Sequence, residues 1–469
     1  MIILNDGTEN VTRIIYKKSL SPESDYRLSL YTYLNEYNGR YLIRNILTGE
    51  VTELTAGEYE ALRELKNASK DYAYLTVNGL TELAKKRYIV EKDHDEFKQY
   101  SDVFFLLKTI SSGRKKGMIS YLIFPTTACN ARCTYCFEEG YEVRTMSKET
   151  TDRLVDHIIK TRHDGRITLC WFGGEPLLEI DIIRHICKAL SERNVPYRSR
   201  ITTNASLVTR ELAHEMKESW KLYTAQISLD GSREDYAVRK NYHDPQKYNY
   251  DVVMRAAHYL SEEGIKVVFR VNVDRDNIGR IRSFLDDIKE EFRDMDNVSL
   301  FLGPLFQEQR SDHCIELYRE IFKLERYMRK VGVRQNITYT RNRLRVRSCM
   351  ADPGNIDKCV VITPDGEFYN CDFIGECRSW GNIFEGVTDE ECYKELSSQP
   401  EADEKCRKCP FLPECTPFYK TRCPRWFEKC YEYKCLAAEQ YLQNLLIYGS
   451  EETDLETDFE TDLETDETC

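Results

Sequence analysis

From Ile119 to Leu305 the chain alternates short apolar runs with longer mixed stretches. The runs "ISYLIF", "ITLCWF", "SRITT", "TAQISL", "KVVFRVNV" and "VSLFL" are each followed by a polar loop, and most of those loops lead into a helical pattern such as "ETTDRLVDHIIK" or "NYDVVMRAAHYLSEEG". Six such repeats predict an α/β fold with a parallel sheet, because parallel strands need crossover helices. Curled, this sheet gives a partial (β/α)6 TIM barrel over residues 115–310, with functional residues expected at the C-terminal strand ends.

The flanks carry other patterns. Residues 1–100 predict a small mixed α/β module. In it "RYLIRNILTGEVTEL" reads as two strands around a turn at Gly49, and "TAGEYEALREL" opens with a capping box of Thr55 and Glu58. "GLTELAKK" reads as a second helix running into the strand "RYIVEK", an order that resembles a winged-helix domain. "EKDHDEFKQYSDVF" reads as a linker. Residues 311–345 read as a linker with a helix. Residues 346–448 are cysteine-rich, with apolar runs too short for a conventional core, so metal is expected to hold them together. Within that stretch "LAAEQYLQNLLIY" predicts a closing helix. Residues 449–469 repeat ETDL, ETDF, ETDL, ETD and are expected to form a disordered acidic tail.

Composition narrows the function classes. Of 469 residues 41% are hydrophobic, ample for several cores. No run reaches the roughly 18 apolar residues of a membrane span, and the opening "MIILNDGTENVTR" lacks the basic and apolar regions of a secretory signal. A cytoplasmic protein with reduced thiols is the expectation. The net charge is −12, but the tail from Glu451 holds ten acids and no base, so the difference left for the rest is −2. A nearly neutral body without a basic stripe argues against nucleic acid as the partner. The short basic segment "TRNRLRVRS" (340–348) fits an acidic partner or the neighbouring cysteine region better.

The cysteines carry the chemistry. There are 18, none before residue 129 and eleven from Cys349 to Cys435. Cys129, Cys133 and Cys136 form C-x3-C-x2-C in the loop after the first barrel strand. Three thiols could belong to a disulfide framework, a zinc site or an iron–sulfur cluster. Disulfides suit small secreted chains, and structural zinc wants four protein ligands, whereas the next cysteine, Cys170, lies inside a strand. Three thiolates on a [4Fe-4S] cluster leave one iron open to a small molecule.

C-x3-C-x2-C after a first β-strand resembles the radical SAM superfamily. That resemblance implies that the open iron chelates S-adenosylmethionine, whose reductive cleavage yields a 5′-deoxyadenosyl radical. Tyr135 matches the aromatic residue usual before the last cysteine. "WFGGEP" matches the family's GGEP element, which implies that Gly173, Gly174 and Glu175 contact the methionine amino group. Glycines let a backbone approach a ligand closely. Later strand ends supply Asn204, Ser228 with Asp230, and Arg270 with Asn272. By the same resemblance Ser228 and a following arginine, Arg239, would hold the methionine carboxylate. For Asn204 and Asp230 strand-end turn chemistry is the alternative.

The later cysteines resemble the SPASM extension, which implies two auxiliary [4Fe-4S] clusters, three clusters in all. Cys349, Cys359, Cys371 and Cys423 would hold the first, and Cys406, Cys409, Cys415 and Cys435 the second. Cys423 departs from the family spacing, and Cys430 rivals Cys435 as the last ligand. Zinc is the alternative for "CRKCPFLPEC" alone. Cys170, Cys187, Cys314, Cys377 and Cys392 match no role and read as packed thiols. Asp372, beside Cys371 in "NCDF", matches the place where some SPASM enzymes carry a catalytic base, against a plain turn-forming aspartate.

The amino-terminal module resembles the recognition element of peptide maturases, which implies that residues 1–100 bind the leader of a precursor peptide by strand addition. Taken together the resemblance implies a radical SAM/SPASM maturase of a ribosomally made peptide. It would abstract a hydrogen, close a cross-link, first of all the Cys thioether that members of this three-part build often make and otherwise a carbon–carbon or carbon–oxygen link, and draw electrons from a reductant such as flavodoxin or ferredoxin. A formylglycine-forming sulfatase-maturase-like enzyme is the enzymatic alternative. A non-catalytic iron–sulfur electron carrier and a zinc-stabilised DNA-binding regulator are alternatives of other classes. The Thr-Asp repeats and Cys469 of the tail could mimic a substrate, against a merely solubilising tail.

Overall fold

In the computed structural model residues 20–113, 117–336, 356–397, 402–415 and 429–448 are described. Strand β1 (Tyr26–Leu28) opens the amino-terminal module, and β2 (Thr32–Tyr37), β3 (Arg40–Asn45) and β4 (Val51–Leu54) form an antiparallel sheet in the order β2-β3-β4. The helix Ala56–Asn67 starts with the expected capping box, Thr55 and Glu58 each satisfying the other's backbone N–H. Helices Tyr72–Val77 and Thr81–Lys85 follow, and β5 (Ile89–Glu91) returns to pair with β1. Period-two alternation buries both faces of the three-stranded sheet. Leu34, Tyr41 and Ile43 meet the module's own helices, whereas Tyr33 and, just past β3, Ile46 join Phe411, Leu412 and Ala438 of the carboxy-terminal region.

The expected linker is a correction. Residues 91–104 run into an 18-residue helix, Glu96–Gly113. The Asp95 carboxylate accepts from the Lys98 N–H (2.9 Å) at its start. Glu96, Tyr100, Val103 and Phe104 are buried at helical spacing among charged neighbours, which is why the segment resembles a polar connector in sequence. The Glu96 carboxylate accepts from Ser29 Oγ (2.5 Å) and the Leu30 N–H (2.8 Å), tying the helix to the module.

The six apolar runs form parallel strands β6 (Ser120–Ile123), β7 (Ile167–Trp171), β8 (Tyr197–Thr203), β9 (Leu222–Ser228), β10 (Lys266–Val273) and β11 (Val298–Pro304), adjacent in chain order. The crossover helices begin on side-chain caps where sequence supplies them: Ser147, Thr209, Ser232 and Asn249 each accept a first-turn N–H. Their apolar faces and Tyr121, Ile123, Leu169, Trp171 and Ile201 build the main core. Alternate strand residues turn the other way, and Leu122, Phe124 and Cys170 pack there with Val361.

Val361 marks the second correction. The cysteine-rich region does contribute to a conventional core: β12 (Cys359–Ile362) adds in parallel to β6, and its Val360, Val361 and Ile362 are fully buried. Strands β13 (Glu367–Tyr369), β14 (Gly381–Asn382) and β15 (Gly386–Val387) continue the sheet antiparallel. A four-residue apolar run is too short to distinguish a sheet strand from a metal-bound loop by pattern alone. The closing helix is present as Cys430–Tyr448 and packs on Cys314–Val331, where Gln440 Nε2 donates to the Phe322 carbonyl (3.1 Å). Among the described residues no helix is long and apolar enough to cross a membrane.

If β12 belongs to the barrel core, Ile362→Ala should destabilise the barrel by about 2–5 kcal/mol, the usual cost of a large-to-small change in a core. Chemical denaturation followed by tryptophan fluorescence checks this, since Trp171 lies in β7; an unchanged barrel transition would separate β12 from that core.

Candidate active site

The triad loop leaves the C-terminal end of β6 and is fastened on two sides. On one side the Arg132 N–H donates to the Lys240 and Asn241 carbonyls (3.2 and 3.0 Å), and the Thr134 N–H to the Arg239 carbonyl (3.0 Å). These are carbonyls at the end of helix Arg233–Lys240, which have no partner within the helix. Asn241 ends that helix in the left-handed region at φ 45°, turning the chain so that the carbonyls face the loop.

On the other side lies the glycine pair after β7. The Gly174 N–H donates to the Thr126 carbonyl (3.2 Å) and the Glu175 N–H to the Ala128 carbonyl (2.8 Å). A Cβ at Gly173 would stand 2.4 Å from the Thr126 oxygen, and one at Gly174 2.2 Å from the Ala128 oxygen. The glycines are therefore required by backbone packed against backbone. Glu175 is fully buried, and its carboxylate already accepts from the Leu177 N–H (3.1 Å), Thr203 Oγ1 (2.7 Å) and the Asn204 N–H (2.8 Å). Burial raises its pKa against these three bonds. Asn204 behaves as the turn alternative describes: Oδ1 accepts from the Ser206 N–H (3.0 Å) and Nδ2 donates to Asn130 Oδ1 (2.8 Å).

Beneath the loop Tyr135, Asp230 and Asn272, all expected from sequence, join a buried polar network with Lys240, which sequence reading missed. Lys240 is 3% exposed and its ammonium lies 3.4 Å from Asp230, which is fully buried. Tyr135 Oη donates to Asp230 (2.5 Å) and accepts from Lys240 (3.1 Å), while Asn272 Nδ2 donates to the other Asp230 oxygen (2.8 Å). Burial alone would lower the Lys240 pKa, but Asp230, Cys133 and Tyr135 carry it well above the usual lysine range, so the ammonium stays charged. Nothing in "VRKN" marks this lysine; only the fold brings it under the triad.

Arg239 also lies close to Tyr135, its guanidinium 5.2 Å from the ring centre. One nitrogen pairs with Asp274 (2.6 Å), and its Nε and Nη2 are buried without a hydrogen-bond partner. Unused buried guanidinium donors are expensive and fit an anion such as a carboxylate. Ser228 stands in register with Arg270 across β9 and β10, and Arg270 Nε donates to Asn272 Oδ1 (2.9 Å).

The three triad thiols are half-buried and unbridged. Burial, then Glu175, pushes Cys129 up to about 12, and burial pushes Cys136 up to about 11. A metal bound there must displace those protons, and the nearby Lys240 ammonium favours the thiolates. Among the described residues no group of three or more His, Cys, Asp and Glu side chains is gathered as for a single metal ion. The fit to a cofactor rests on three unbridged thiols on one pinned loop and on the orphaned Arg239 donors.

Asp372 is drawn to the same loop. Phe137 stacks on Phe373 at 4.3 Å and 11°, and the Cys371 thiol lies 3.5 Å from Asp372 Oδ1. Burial, reinforced by Asp372, pushes the Glu138 carboxyl up to about 8, and Glu138 Oε1 is buried without a partner. Cys377, unassigned in sequence, hydrogen-bonds with Cys371. Cys359 lies in register with Ser120 on β6. Cys170 accepts from Arg200 Nε (2.9 Å), and Cys187, Cys314 and Cys392 are buried. Cys406, Cys409 and Cys435 gather in another apolar cluster, which does not include Cys430. Cys349, Cys423, the basic segment 340–348 and the acidic tail lie outside the described residues.

Residues 123–288 match the Radical SAM superfamily model, and a domain of that kind implies S-adenosylmethionine and an iron–sulfur cluster. The chain is 30% identical over 169 residues to the Fe-coproporphyrin III synthase of Methanosarcina barkeri, covering 35% of this chain and only 40% of that one. It is 26% identical over 343 residues to a cysteine-type anaerobic sulfatase-maturating enzyme of Clostridium novyi, covering 63% of this chain and 86% of that one. Against the antilisterial bacteriocin subtilosin biosynthesis protein AlbA of Bacillus subtilis it is 24% identical over 322 residues, 63% of this chain and 65% of that one. The solved structure of native anSMEcpe with bound AdoMet and Cp18Cys peptide shares the fold, with a TM-score of 0.53 at 18% identity over 71% of this chain and 98% of that one.

Lys240→Met would leave Asp230 buried and uncompensated, and it should destabilise the protein by about 3–5 kcal/mol, as breaking a buried pair does. Lys240→Met combined with Asp230→Asn should recover much of that loss in thermal denaturation. Equal stability of the single and double variants would show that the pair does not hold this region.

Proposed function

We propose that this chain, which carries a radical SAM domain over residues 123–288, modifies a ribosomally made precursor peptide by hydrogen abstraction and closes a Cys thioether. The observation that carries the reading is the pinned three-thiol loop with the unpartnered Arg239 donors beside it. Relatives named for sulfatase maturation and for bacteriocin biosynthesis support a peptide as substrate.

When bound, S-adenosylmethionine and the clusters would supply a 5′-deoxyadenosyl radical and an acceptor for one electron. Cys129, Cys133 and Cys136 would hold the first cluster, and Arg239 with Ser228 the methionine carboxylate. The Glu175 carboxylate is committed to three protein donors, so this reading gives the amino group to the Gly173 and Gly174 backbone. Asp372, with Glu138 beside it, would take the substrate's thiol proton. The acceptor carbon loses a hydrogen atom, the thiol a proton, and one electron leaves, so sulfur is retained and only hydrogen is lost.

In the same reading the amino-terminal module is a winged-helix-like leader binder. Among the described residues β4 bonds only to β3, and its outer edge suits an added strand. Residues 346–448 would be a SPASM domain with two further clusters; Cys409 lies within electrostatic reach of both Cys430 and Cys435, the two rivals for the last ligand position, and Cys435 is the one this reading takes. The working environment would be the cytoplasm, with a flavodoxin or ferredoxin as reductant.

Formylglycine formation is the second reading, favoured by the coverage of 86% of the sulfatase-maturating relative. Against it, the solved anSMEcpe structure is matched over 98% of its length and the remainder of this chain has no counterpart there.

Co-expression with the short peptides encoded beside this chain, followed by mass spectrometry, decides between them. A thioether product should lose hydrogen and keep its sulfur, and should vanish with Cys133→Ala. A product that exchanges sulfur for oxygen would establish formylglycine instead, and a product that survives Cys133→Ala would refute a radical step.

A further inference from the structure

The second face of the amino-terminal sheet is buried on thiols. Tyr31 and Ile46 flank β2 and β3, and Tyr100 and Phe104 come from helix Glu96–Gly113; these pack with Phe411, Leu412 and Ala438 into one apolar cluster. Cys406, Cys409 and Cys435 lie against that cluster beside Leu30, Tyr33, Leu47 and Phe97. Tyr33 stands 5.6 Å from Phe411, and the Arg407 guanidinium lies 4.8 Å over Phe97.

A charged clamp crosses the same contact. Arg44, 1% exposed near the end of β3, pairs with Glu414, the residue before Cys415, and lies 5.1 Å over the Tyr441 ring. Burial pushes its pKa down to about 9, so the pair is costly unless closed tightly. Tyr33 Oη donates to Glu439 (3.4 Å), and Arg40 Nη1 to the Leu446 carbonyl (3.4 Å). A binding module joined only by a tether would not spend one sheet face and a buried arginine on the cysteine region.

We propose that β2 and β3 form one wall of the thiol site of Cys406, Cys409, Cys415 and Cys435, so that this site takes up and keeps its iron–sulfur cluster only with the module docked. The inference rests on the reading of these cysteines as cluster ligands. Because coupling is reciprocal, an empty cluster site would loosen the module.

The test uses the full chain, reconstituted anaerobically with iron and sulfide. Arg44→Ala leaves Glu414 buried and unpaired. Its iron per chain should fall to that of the Cys406→Ala/Cys409→Ala variant while cleavage of S-adenosylmethionine persists; Glu60→Gln, in an exposed pair on the same module, should match wild type. Should Arg44→Ala fail to fold, hydrogen exchange decides with the cysteine double variant. Backbone amides of β2 and β3 should lose protection when the site is emptied, and those of β7 and β8 should not. Wild-type iron content in a folded Arg44→Ala, or unchanged protection of β2 and β3, would overturn the coupling. Equal iron in wild type and the cysteine double variant would instead overturn the ligand reading beneath it.

Discussion

The reaction proposed for this chain depends on one close approach, the triad loop held between a glycine pair and a helix end. Gly173 and Gly174 leave no room for a Cβ against the carbonyls of Thr126 and Ala128, and the loop's N–H groups satisfy the carbonyls of Arg239, Lys240 and Asn241. The two contacts fix the loop through backbone, which is stiff, rather than through side chains. They bring Cys129, Cys133 and Cys136 over a fully buried Lys240–Asp230 pair, and the Lys240 ammonium opposes part of the burial that raises the Cys129 and Cys136 pKa values. Pinning the loop and compensating its charge are therefore served by the same helix.

Where sequence and structure agree, the signal is local. The six barrel strands fall on the six apolar runs because a buried parallel strand is apolar along its length. The capping box at Thr55 works over a few residues and needs no tertiary context. The triad and the glycine pair were legible as motifs, although the glycines turn out to serve loop packing and the Glu175 carboxylate is used within the protein.

What escaped the sequence is tertiary. Lys240 looks like a surface residue in "VRKN", and only its meeting with Asp230, Tyr135 and Asn272 makes it part of the site. Residues 91–104 look like a connector because Glu96, a buried carboxylate, sits among charges, and its partners Ser29 and Leu30 are far away in sequence. The run "CVVI" looked too short to fold, and it became a barrel strand because β6 offered a bare edge. The sheet β2–β4 shows the same limit: its alternation was visible, but not that its second face meets Cys406, Cys409 and Cys435.

The central claim is that the pinned triad supports reductive cleavage of S-adenosylmethionine. Reduced, iron-reconstituted wild-type chain should therefore be incubated with S-adenosylmethionine and the products quantified by chromatography. The account predicts 5′-deoxyadenosine and methionine from the wild type and neither from Cys133→Ala. Intact S-adenosylmethionine recovered from reduced, iron-loaded wild-type chain would contradict it.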